Sequence, residues 1–365
     1  MDHVSSHYQA LFQPQMLVGG RQLPHRIVML GMTRTRAEID GTPTDLMAEY
    51  YAQRAEASLI ITESTSVSAV GRSFITGPGI YTTEHAVAWK KVVERVHSAG
   101  GRIILQINHV GRVNNLLYLP RNVPPVGPSA VEVSPASRNI VINIPRVTPY
   151  ITPRALETDE VGLIAQEFAH ATKLAKFAGF DGVEVHADSG YLLHQFLSTN
   201  VNKRTDRYGG SIENRSRLLL ETLDAVSAVN GSDYVSLKLT PGWTNNDVEE
   251  ADAELLYGYI IEELNRRPDL MFLHFYFPDL ATSDLYRKLR KSYRGTVLVD
   301  GSLSTEDYAK MVESGETDLV GFGRSFISNP DLPSRLRTGR NLTDVDYSTL
   351  YTPGPKGYVD YPTSA

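Results

Sequence analysis

"EVHADSGYLLHQF", residues 184–196, begins inside an apolar run and breaks into polar and aromatic groups. Its first residues belong to "GVEVHA" (182–187), a short, β-branched and largely apolar segment. Such runs mark parallel strands covered on both faces. His186, Asp188, Ser189 and Tyr191 then follow within six positions. A buried strand that ends in so many hydrogen-bonding groups makes sense where strand ends converge on a site, because each group is costly to bury without a partner.

Seven similar runs lie on either side of it: "RIVMLGM" (26–32), "SLIITES" (58–64), "RIILQIN" (102–108), "YVSLKLT" (234–240), "LMFLHFYF" (270–277), "TVLVDG" (296–301) and "DLVGFGR" (318–324). Amphipathic stretches such as "DLMAEYYAQRAEA" and "EHAVAWKKVVERVHSAG" separate them. Thr158 and Ser304 stand where N-caps belong, and Gly100 and Gly179 where helices should stop. Eight strands alternating with helices predict an α/β fold, a single (β/α)8 TIM barrel over residues 1–365. A doubly wound open sheet is the alternative, but no GxGxxG follows the first strand. Residues 109–157 break the rhythm with "PRNVPPVGPSA", "NIVINI" and "IPRVTPYITPRA". A connection this long after strand three is expected to be a lid or capping excursion over the mouth. The Tyr-, Pro- and Gly-rich segment 341–365 is expected to fold back over the barrel.

Composition narrows the chemistry. The 365 residues are 41% hydrophobic with a formal net charge of −6, which supports a large core and argues against a nucleic-acid surface. Cysteine is absent, so thiolate metal sites, iron–sulfur clusters and cysteine nucleophiles are excluded. The N-terminus has no signal-peptide pattern and no run is long enough to span a bilayer. A cytoplasmic protein without membrane, nucleic-acid or metal partners is expected, as a monomer or homodimer.

In a barrel the strand ends share one mouth. They bring Thr33, Ser64, Gln106, Asn108, His186, Ser189, Tyr191, Lys238, Asp300, Gly323 and Arg324 to it. "VDGSLST" and "GFGRSF" follow strands seven and eight, where barrels commonly hold phosphate. Gln106 offers donor and acceptor to a heterocycle edge, and Lys238 offers positive charge. Together these features indicate a nucleotide-like cofactor without identifying it.

The same residues resemble the old yellow enzyme family of FMN-dependent ene-reductases. The likeness runs through "LFQPQMLVGGRQLPHRIVMLGMTRTRA", "GFDGVEVHADSGYLLHQFLSTNVNKRTDRYGGSIENRSR", "DLVGFGRSFISNPDLPSRL" and "YTPGPKGYVDYP". The resemblance implies tightly bound FMN, with Thr33, Ser64, Gln106 and Lys238 around its ring and Gly301, Ser302, Gly323 and Arg324 around its phosphate. It implies ping-pong reduction of an α,β-unsaturated carbonyl by NAD(P)H, in a specialised biosynthetic pathway. His186 and Ser189 would hold the carbonyl oxygen, Tyr191 would protonate the α-carbon, and Asn108 and Tyr351 would border the substrate pocket. Ser189 replaces the usual His or Asn, Asn108 lies where Trp is common, and Lys238 stands where Arg is frequent. A redox-neutral isomerisation or cyclisation of an enone or dienone is the alternative reaction, and a non-catalytic flavin binder the alternative class.

Overall fold

The computed structural model describes residues 6–117, 119–120, 123–134 and 150–363. Eight parallel strands form its centre: β1 (Ile27–Met29), β2 (Leu59–Ile61), β3 (Ile103–Asn108), β4 (Gly182–Ala187), β5 (Val235–Leu239), β6 (Phe272–Phe277), β7 (Val297–Gly301) and β8 (Leu319–Phe322). Each pairs with the next in chain order, and β8 pairs with β1, so the barrel is closed and has no free edge. The strands begin and end up to three residues inside the predicted runs, because the flanking residues already turn into loops.

Ten helices accompany the strands among the described residues: α1 (Asp45–Ala52), α2 (Thr83–Ser98), α3 (Thr158–Ala178), α4 (Leu192–Leu197), α5 (Ile212–Asn230), α6 (Ala253–Asn265), α7 (Asp284–Ser292), α8 (Thr305–Glu313), α9 (Arg324–Ser328) and α10 (Leu332–Thr338). Ser304 caps α8 as expected, its hydroxyl accepting from the Asp307 amide. Thr158 is not an N-cap. Glu157 holds that place in a reciprocal capping box with Glu160, which leaves the Thr158 hydroxyl to bond Asp206 at 2.5 Å. Gly179 caps α3 at φ 91°, a conformation that a Cβ would strain. Gly100, at φ 81°, lies one residue beyond the C-cap of α2.

Two apolar layers follow from strand alternation. One set of strand residues packs outward against the helices, around Trp89, Phe168 and Tyr257. The other fills the barrel with Val28, Leu59, Ile61, Ile104, Phe272, Leu298 and Leu319. Leu17 and Leu23 of an N-terminal hairpin join this interior cluster. Arg21 ties the hairpin to the Asp181 carbonyl and to Asp233, just before β4 and β5, so it closes the barrel's N-terminal end. The packed floor leaves the opposite end for polar groups.

Residues 135–149 of the long connection, with its "NIVINI" run, lie outside the described residues. Its described flanks pair Val126–Gly127 with Arg154–Ala155. They are tied to loops at the barrel's C-terminal end by Lys203 N to Ser129 Oγ, Arg204 Nη1 to the Pro128 carbonyl, and Ser134 N to Asp247.

Candidate active site

Register assembles the site. β4 and β5 align so that His186 faces Lys238, and β5 and β6 so that Lys238 faces His274. β3 and β4 set Gln106 against Glu184. Side chains two apart on a strand share a face, so Glu184 joins His186, and Gln106 joins Asn108, on the interior wall.

These groups form a connected polar layer above the apolar floor. Gln106 Nε2 donates to Glu184 Oε1 at 2.8 Å, and Glu184 Oε2 lies 2.9 Å from His274 Nδ1. His274 Nε2 reaches Asp300 at 3.1 Å. Burial alone would lower the His274 pKa, but the carboxylates of Glu184 and Asp300 outweigh burial and the Lys238 cation, and the value is raised. The imidazolium between two acids is thereby favoured.

The mouth-facing residues come next. Asn108 Nδ2 donates to Ser64 Oγ at 2.9 Å, so two predicted pocket groups satisfy one another in part. Asn108 Oδ1 and both ring nitrogens of His186 are buried with no hydrogen-bond partner in the protein. His186 Nε2 is in contact with the carboxylate of Asp188, whose other oxygen lies 3.5 Å from Lys238 Nζ. Ser189 and Gly190 follow with φ of 57° and 72°, a left-handed turn held by Asn246 Nδ2 on the Ser189 carbonyl at 2.7 Å. Tyr191 leaves that turn with its ring edge-on to His186, centroids 5.2 Å apart. Burial, then Tyr150, Asp188 and Tyr351, push its phenol well above the ordinary value. The phenol therefore stays protonated at neutral pH.

Thr33 is set by its neighbours. Glu63, fully buried after β2, accepts from the backbone amides of Arg34 at 3.0 Å and Thr35 at 3.1 Å. Arg34 and Arg36 in turn bind carbonyls of the C-terminal segment, among them Leu350, Gly357 and Thr349, which brings Tyr351 to the rim. A cavity of about 460 Å³ between Thr35, Phe74, Ile75 and Tyr351 lies beside the mouth.

At the last two strand ends, the amide and carbonyl of Gly301 are both taken by the Tyr308 hydroxyl at 2.9 Å. Ser302 and Arg324 are exposed, with Gly323 half-buried beside them. A Cβ on Gly323 would sit in ordinary van der Waals contact with Met32 and Leu30, at 3.6 Å or more, so nothing crowds the turn. The donors that remain for an anion are therefore Ser302, Gly323 and Arg324 rather than the Gly301 amide.

Every predicted site residue lies within this one end of the barrel. Glu184 and His274 were not among them, and Asp188 had been noted without a role. An acid within "GVEVHA" and a histidine within "LMFLHFYF" were the available signals, since a charged group in a strand buried on both faces demands a partner.

The model of the NADH:flavin oxidoreductase / NADH oxidase family matches residues 10–343. A putative 12-oxophytodienoate reductase 5 of Oryza sativa subsp. japonica is 39% identical, over 96% of this chain and 94% of its own. A probable flavin mononucleotide-dependent alkene reductase of Leishmania infantum is 39% identical, over 99% of this chain and 100% of its own. Morphinone reductase solved with tetrahydroNAD superposes with a TM-score of 0.92 at 42% identity, over 97% of this chain and 98% of that one. The old yellow enzyme homologue of Zymomonas mobilis superposes at 0.90 with 35% identity, over 96% and 99%. Among the described residues no helix is long and apolar enough to cross a membrane.

Proposed function

The chain belongs to the NADH:flavin oxidoreductase / NADH oxidase family, the old yellow enzymes, and from that premise we propose that it is an FMN-dependent ene-reductase acting on α,β-unsaturated carbonyl compounds with NAD(P)H. The observation that carries this reading is the meeting of three groups at one mouth: Tyr191 as a neutral acid, His186 with no hydrogen bond to either ring nitrogen, and the half-buried cation of Lys238 opposite it in register.

The residues present fit the cofactor. Asn108 Oδ1 and His186 Nδ1 are buried polar atoms that lack a protein partner, the signature of a site built for a ligand. Thr33, Ser64, Gln106 and Lys238 would surround the flavin ring, and Ser302, Gly323 and Arg324 its phosphate, with Gly301 shaping the turn. FMN, when bound, supplies the redox step, carrying hydride from NAD(P)H to the β-carbon of the alkene.

The protein's own groups manage charge and protons around that step. His186 and Ser189 hold the carbonyl oxygen, so negative charge gathers at a preorganised donor. Tyr191 gives its phenolic proton to the α-carbon and recovers one from solvent through the mouth. Asn108 and Tyr351 bound the substrate, with Asn108 small enough to admit a bulky one. The described flanks of 109–157 and the segment 341–363 rim the site as parts of one domain.

Anaerobic titration of the purified yellow protein tests the reading. NADPH or NADH should bleach the flavin, and an enone should restore its colour with formation of the saturated product. Absence of bleaching with either nicotinamide would overturn it, and product formed without nicotinamide consumption would make the net reaction redox-neutral.

A further inference from the structure

Asp188 has no part in the reaction above, yet it touches two residues on which that reaction depends. Its side chain is 2% exposed; one carboxylate oxygen contacts His186 Nε2 and the other lies 3.5 Å from Lys238 Nζ. The backbone fixes it there: the Asp188 carbonyl accepts from the Tyr191 amide at 3.1 Å, and the left-handed pair Ser189–Gly190 turns the chain immediately afterwards. Within reach of charge, His186 also faces Lys238, Glu184 and His274, while Asp188 also faces His274 and His194. Lys238 faces Asp300 and Glu184 besides Asp188.

We infer that Asp188 is a positioning residue whose carboxylate, set against His186 Nε2, biases the charge of that ring and offsets the charge of Lys238 at the flavin site. The second half rests on the ene-reductase reading, and the first does not. Two consequences follow from elementary chemistry. A neutral imidazole carries one N–H, so with that hydrogen on the Nε2 side Nδ1 only accepts; donation from Nδ1 to a carbonyl oxygen calls for the imidazolium, which burial disfavours on balance and the Asp188 carboxylate partly restores. A flavin beside Lys238 also gains less from that cation on accepting electrons when Asp188 shares it, so its midpoint potential is held down.

Asp188→Asn keeps the shape and removes the charge. In the apoprotein, imidazole NMR should show the His186 pKa falling by about one unit. In the FMN-loaded protein the midpoint potential should become more positive, and this rise should shrink in the Lys238→Met background. Lys238→Met alone should raise the His186 pKa, which preserves the test should the Asn variant fold poorly. A purely structural Asp188 would leave the His186 titration and the potential where they are, and that pair of results overturns the inference. A wild-type protein that does not take up FMN would instead sink the ene-reductase reading, with the apoprotein titration still deciding whether Asp188 controls His186.

Discussion

The rings of His186 and Tyr191 meet edge to face, with planes at 73° and centroids 5.2 Å apart. This contact puts the proposed carbonyl-holding group and the proposed proton donor, five residues apart in sequence, on one side of the mouth. Tyr191→Phe keeps the ring contact and deletes only the proton. Oxidation of the reduced enzyme by an enone should slow about 10²–10⁴-fold, the usual yield of a placed general acid, while reduction by NADPH is unchanged. Stopped-flow measurement of the two half-reactions checks this, and equal slowing of both would remove Tyr191 from the proton-donor role.

Ser189 occupies a left-handed position, at φ 57°, that asparagine tolerates better than serine. Ser189→Asn should therefore stabilise the protein by up to about 1 kcal/mol. It should also add a longer amide donor next to His186, so that KM for small enones falls. Thermal unfolding and steady-state kinetics read the two effects separately. A less stable variant would mean that the serine hydroxyl has a partner worth more than the backbone relief.

The barrel was legible because its strands are short apolar runs whose period does not change, and the mouth because strand ends carry the polar residues. Pairings across strands were not. Asp188 and Lys238 are 50 positions apart, and only the β4–β5 register joins them. Glu184 and His274 read as isolated polar interruptions until β5 is seen between them, with Gln106 and Asp300 completing the chain. The Glu157 cap was hidden because glutamate is an uncommon N-cap and its effect depends on Glu160 closing the box.

His274 gives a pH-dependent contribution to stability. Its folded pKa is raised above the unfolded value, so the stabilisation is fully present below about pH 6.5 and is lost as pH rises through the folded value. His274→Asn should then cost more at pH 6 than at pH 9. Urea unfolding of both proteins across that interval measures the difference. A cost independent of pH would show that the ring contributes hydrogen bonds but not charge.

Arg36 makes the sharpest prediction about the C-terminal segment. Burial and the Arg34 cation pull its pKa down to about 10, so it stays charged at pH 7. Its guanidinium donates to the carbonyls of Arg34 at 2.6 Å, Leu350 at 2.7 Å and Thr349 at 3.0 Å, and its Cζ lies 4.7 Å from the Tyr358 ring centre. Hydrogen bonds to a charged group are worth about 1.5–3 kcal/mol each. Arg36→Met keeps the aliphatic bulk but leaves several carbonyls without a donor, so the segment around Tyr351 should detach before the barrel unfolds. Limited proteolysis should cut between residues 341 and 357 far faster in the variant, and KM for bulky enones should rise while FMN stays bound. Cleavage at the wild-type rate would place the anchor elsewhere, in Arg34 and in the stacked rings of Tyr50 and Tyr358.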